Sequence, residues 1–150
     1  MVQIVIGYDA HTASRSALHF GAALARGLHA HIHVVHVEDM NDQPVDSDAV
    51  DFESGVSEHL REHERVVREL VGPEQNDWEY ECGHGPAAAV LLAAAGRHDA
   101  AFIVVGQPHR GFGAILEHAM SGSVSRGLHD DARFPVLVVP ESWKTTGQLA

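Results

Sequence analysis

The densest run of residues able to do chemistry is Gly106-Gln107-Pro108-His109-Arg110-Gly111-Phe112-Gly113, followed by Ser121-Gly122-Ser123-Val124-Ser125. Glycines directly after a strand allow positive φ angles and let the backbone approach a ligand closely. A helix that opens Gly-Ser-Val-Ser presents unpaired backbone N–H groups and small hydroxyls, which suit phosphate oxygens. His109 and Arg110 add donors and positive charge in an otherwise acidic chain. The same residues would equally serve plain turns and an ordinary helix cap at Ser121 or Ser123.

These residues need a scaffold, and the apolar pattern supplies one. Val2–Gly7, His31–Val37, Trp78–Cys82, Ala100–Gly106 and Pro135–Val139 read as strands, the fourth buried on both faces through Phe102-Ile103-Val104-Val105. Between them lie helical stretches. One starts near Thr12 as N-cap, with an apolar face of Ala17, Gly21, Leu24 and Leu28. The next carries Val56, Leu60, His63, Val67 and Leu70 and stops at Gly72-Pro73. An alanine-rich helix has Pro86 at its first turn, and a short one spans Ser123 to His129. The alternation predicts a doubly wound, five-stranded parallel α/β sheet with helices on both faces. Ligands of such sheets bind beyond the carboxyl ends of the strands, where strand order reverses. That edge carries Asp9, Val37-Glu38 and the loop after Gly106.

Composition narrows the function. A chain of 150 residues fits one domain, here 1–140 with a polar, frayed tail over 141–150. Twenty-one acidic residues face ten basic ones, for a formal net charge of -11, which disfavours nucleic acid and acidic lipid as partners. No apolar run approaches the roughly 20 residues of a membrane span, and the first residues lack a signal-peptide pattern, so a cytoplasmic protein is expected. The single cysteine, Cys82, excludes an internal disulfide and reads as a small buried hydrophobe.

Several motifs point to other chemistry and carry less weight. His59-Leu60-Arg61-Glu62-His63 matches the H-x-x-E-H pattern of inverted zinc peptidases, but His63 also falls on the apolar stripe. His29, His31, His33 and His36 have strand spacing, which fits satisfied histidines on a partly buried strand better than a metal site. No metal site is expected. Lys144, the sole lysine, is too near the terminus to serve a phosphate loop, and no nucleophile elbow is present. Enzymatic turnover is not expected.

The ordered set of segments resembles the universal stress protein family. Tyr8-Asp9 looks like the end of its opening strand, His36-Val37 its second strand, and Gly83-His84-Gly85-Pro86 the start of its third helix. Phe102 to Gly106 with Gly122-Ser123-Val124-Ser125 resembles its nucleotide loop, and Pro135-Val136-Leu137-Val138-Val139-Pro140 its closing strand. The resemblance implies a Rossmann-like fold of the adenine nucleotide alpha-hydrolase type and ATP, with Mg²⁺, as ligand. Asp9 and Val37 would contact the adenosine part, next to Tyr8 and Val105. Gly106, Arg110 and Gly111 would line the phosphate path, with Gly122, Ser123 and Val124 at the helix start.

ATP-binding members read Gly, two residues, Gly, nine residues, then Gly and Ser or Thr. Here four residues separate Gly106 from Gly111 and ten separate Gly111 from Gly122, and an ungapped reading puts His109 at the second glycine. The acidic stretch from Glu38 to Glu53 lies at the same edge and would repel a triphosphate unless Mg²⁺ intervenes or the loop points away. The resemblance further implies a homodimer pairing Pro135–Val139 across a two-fold axis, and a regulator or sensor of stress. Any hydrolysis or autophosphorylation should be slow, with Ser123 and Ser125 the best-placed acceptors. The alternative is a nucleotide-free interaction module of the same fold, acting through dimerisation and partner binding.

Overall fold

The protein is described by a computed structural model over residues 1–38, 52–107 and 134–143. Its elements run β1 (Gln3–Tyr8), α1 (Thr12–Leu28), β2 (His31–Glu38), α2 (Phe52–Val71), β3 (Trp78–His84), α3 (Ala87–Arg97), β4 (Phe102–Gly106) and β5 (Val136–Val139). The five strands form one sheet in the order β3-β2-β1-β4-β5, and every pairing is parallel. This is the doubly wound α/β architecture that the alternation of periods predicts. The helix expected over Ser123 to His129 and most of the acidic segment fall outside the described residues.

Parallel strands covered on both faces must be apolar on both, and β1 is buried from Ile4 through Tyr8. Alternate residues split into two cores. Ile4, Ile6 and Tyr8 join Ile32, Val34 and Val104 beneath Leu18, Ala22, Ala25, Val67 and Val71 of α1 and α2. Val5, Val35, Val37, Ile103 and Val105 face Leu91, Ala94 and Ala95 of α3. Among the described residues no helix is long and apolar enough to cross a membrane.

The buried face of α1 differs from the expected stripe. Ala13, Ser14, Ala17, Leu18, Gly21, Ala22 and Ala25 are buried, whereas Leu28 is 44% exposed at the last turn. Small residues let α1 lie close on the sheet. A Cβ on Gly21 would fall 2.3 Å from Cδ1 of Ile6. The N-cap is His11, not Thr12, and its side chain makes no capping bond. Pro86 likewise sits at the N-cap of α3, one position before the first turn. Cys82 is only half-buried, because β3 is an edge strand. The start of the tail is packed rather than frayed: Ser16 Oγ donates to the Glu141 carbonyl (3.0 Å), and Trp143 sits edge-on against Phe20 at 5.4 Å.

Candidate functional site

Strand order reverses between β1 and β4, and the concavity there is lined by Gly7, Asp9, His11, Ala13, Ser14, Val105, Gly106 and Gln107. It is built chiefly from backbone. A Cβ on Gly106 would lie 2.4 Å from the carbonyl carbon and oxygen of Ala13 and 2.7 Å from the Ser14 nitrogen. Glycine at 106 therefore lets the first turn of α1 close on the end of β4, a packing demand that exists without any ligand. The consequence is that the positive end of the α1 dipole abuts the crevice.

The connection from β1 to α1 is held by its own polar groups. Asp9 Oδ1 accepts from the His11 N–H at 3.0 Å, an Asx turn that aims the chain into the helix. Ser14 Oγ donates to the His11 carbonyl at 2.8 Å and accepts from the Asp9 N–H at 3.4 Å. Asp9 is only partly buried.

Among the residues expected at the site, Asp9, Val105 and Gly106 come together in this crevice. Val37 does not line it but is buried in the α3-side core, one residue past the Tyr8–His36 pair. Tyr8 turns to the opposite core, where its ring meets His36 edge-on at 5.4 Å, and burial raises its pKa. His109, Arg110, Gly111, Gly122, Ser123, Val124 and Ser125 lie outside the described residues. His11, Ser14 and Gln107 were not singled out from the sequence, although a serine two positions into a helix that follows a strand end was a usable signal.

Two histidine clusters flank the sheet's other half. His33 is buried with Nε2 against Gln3 Oε1 (2.8 Å) and its ring stacked on His98 at 3.6 Å. His36 is buried with Nδ1 against the Tyr80 hydroxyl (2.7 Å), and His63 of α2 packs on its ring at 4.7 Å. Burial, aided by neighbouring histidines, lowers each pKa to about 4, so both rings are neutral at pH 7. Burial also pushes the Cys82 thiol up to about 11, which leaves it a poor nucleophile.

Residues 1–140 match the Universal stress protein family. The chain belongs to that family. No curated protein matches it. Among solved structures it is similar to a universal stress protein family member from Burkholderia pseudomallei, with 26% identity, a TM-score of 0.59, and coverage of 92% of this chain and 95% of that one. It is also similar to a universal stress protein solved in complex with cAMP (20% identity, TM-score 0.60, 94% and 98% covered). A third is the universal stress protein from Archaeoglobus fulgidus in complex with dAMP (22% identity, TM-score 0.54, 93% and 98% covered).

Proposed function

We propose that this universal stress protein binds an adenine nucleotide, ATP with Mg²⁺, in the crevice between β1 and β4 and works as a nucleotide-dependent regulator in the cytoplasm. The observation that carries the reading is the close approach of the α1 start to the end of β4 at Gly106, which brings helix N–H groups and Asp9 to one concavity at the strand reversal. Two relatives of the same fold were solved with cAMP and dAMP. The Asp9 carboxylate has a second oxygen with which to accept from a ribose hydroxyl or an adenine amino group. Little turnover is expected, because among its described lining residues the crevice has no lysine and His11 as its one imidazole.

Dimerisation through Pro135–Val139 belongs to the same proposal. β5 lies at the sheet edge, with Val136, Leu137 and Val138 exposed by 46, 39 and 45%. An apolar parallel edge left bare is an invitation to pair with a second copy.

The second reading is the nucleotide-free interaction module. It is favoured by the size of the concavity among the described residues, about 20 Å³, and by the commitment of one Asp9 oxygen to His11. Denaturing the purified protein and separating the released small molecules by ion exchange decides between them. Near one equivalent of adenine nucleotide in the wild type, lost in Asp9→Ala and Gly122→Val, supports the first. An empty wild type with no thermal shift in Mg-ATP supports the second.

A further inference from the structure

Parallel pairing of β2 and β3 sets His36 opposite Cys82 and Glu38 opposite His84, so a square of four donor side chains shares one face of the sheet at the carboxyl end of these strands. One ligand atom each of His36, Glu38 and Cys82 lies within 4.8 Å of the others. His84 Nδ1 is 3.5 Å from Glu38 Oε2. Two ligands of one tetrahedral zinc stand roughly 3.3–3.8 Å apart, given bonds of about 2.0–2.3 Å, so His36, Glu38 and Cys82 need to draw in only slightly, and His84 must swing in from its contact with Glu38 to complete the set.

Its surroundings have the features that an ion-binding square requires. The Tyr80 hydroxyl holds His36 Nδ1 at 2.7 Å, which fixes the ring and leaves Nε2 for a metal. The Glu38 side chain is only 11% exposed, with the His84 ring as its ion-pair partner, whereas His84 itself is 62% exposed and gives an ion a way in. From α2, His63 packs on His36, and its Nε2 is 3.0 Å from that of His59.

We propose that His36, Glu38, Cys82 and His84 form a binding site for a divalent transition metal, best fitted to Zn²⁺, with His63 of α2 only packing on the His36 ring. The mixed N, S and O donor set selects Zn²⁺ or Co²⁺ over Mg²⁺ and Ca²⁺, which take oxygen. A second candidate group among the described residues, His31, His33 and Glu79, is weaker. His33 there already has one nitrogen on Gln3 and the other 3.6 Å from Glu79, and its ring stacks on His98. This site is separate from the β1–β4 crevice and goes beyond the nucleotide reading.

The test uses the full chain stripped with EDTA and titrated with CoCl₂ in the absence of nucleotide. The expected result is one equivalent bound, with intense tetrahedral d–d bands and a thiolate-to-cobalt charge-transfer band, and displacement by ZnCl₂ but not MgCl₂. Cys82→Ser should remove the charge-transfer band, and Glu38→Gln should weaken binding roughly a hundredfold. Tyr80→Phe, which touches no ion, should weaken it about tenfold. Circular dichroism of each variant shows that it is folded. The proposal is overturned by an absence of saturable binding. It is equally overturned by a spectrum unchanged in Cys82→Ser, or by binding lost only in His59→Ala/His63→Ala or only in His31→Gln.

Discussion

Two regions along the sheet's carboxyl edge, the central β1–β4 crevice and the β2–β3 end, are built by opposite means. At the β1–β4 crevice the shape comes from backbone: Gly106 touches the main chain of Ala13 and Ser14, and the turn into α1 is tied by Asp9, His11 and Ser14. At the β2–β3 end it comes from side chains, where His36, Glu38, Cys82 and His84 meet because the register aligns them. The first region should therefore be most sensitive to volume added at Gly106. The second should accept volume and fail when a donor is lost.

The largest effect expected from this contrast is Gly106→Ala. Its new Cβ would sit 2.4 Å from Ala13 main-chain atoms that cannot step aside, so a loss of at least about 3 kcal/mol is expected in urea unfolding. A stable Gly106→Ala protein would remove the backbone account of the crevice.

Acidification comes next and probes the buried histidines. His33 faces Gln3 and His31, Glu79 and Glu81 of β3, and His98 beyond α3, and its pKa falls from 6.5 to about 4 on folding. The unfolded chain binds the proton first, so this contribution is complete above pH 6.5 and is lost as pH falls toward 4. His33 alone should account for about 2 kcal/mol of the stability lost between pH 7 and pH 5, with His36 adding its own share, and His33→Gln should make that slope shallower.

A smaller loss, about 1–2 kcal/mol in the metal-free protein, is expected for Tyr80→Phe, because His36 would keep a buried nitrogen without its hydroxyl partner. Thermal unfolding of the two proteins side by side measures it. The smallest effect should be Gly21→Ala. Its Cβ meets the movable end of Ile6 at 2.3 Å rather than backbone, and a helix gains about 1 kcal/mol from alanine over glycine. A net change within about 1 kcal/mol, against the collapse at Gly106, would confirm that what a new Cβ meets matters more than how near it comes.

The strands and helices were legible in the sequence because burial imposes periods of 2 and 3.6 that survive without coordinates. The departures came where packing chose among equals. The buried stripe of α1 moved to Leu18 and Ala22 and left Leu28 in water, since close contact with Ile6 favours the face carrying Gly21. The ends of β1 and β4 could be picked out as a candidate site because parallel sheets bind ligands at a reversal, and Asp9 and Gly106 line one concavity there.

What the sequence determined by itself was therefore the kind of protein: an acidic α/β fold with five parallel strands, and a family resemblance carried by segments such as Phe102–Gly106 and Pro135–Pro140. Local patterns suffice for that, because each residue's preference for water or core is its own property. Only the tertiary structure decided that His36 and Glu38 share a face with Cys82 and His84, residues more than forty positions further along the chain. Strand register is a property of pairs, and a slip of β3 by one residue would have sent Cys82 and His84 to the face opposite His36 and Glu38.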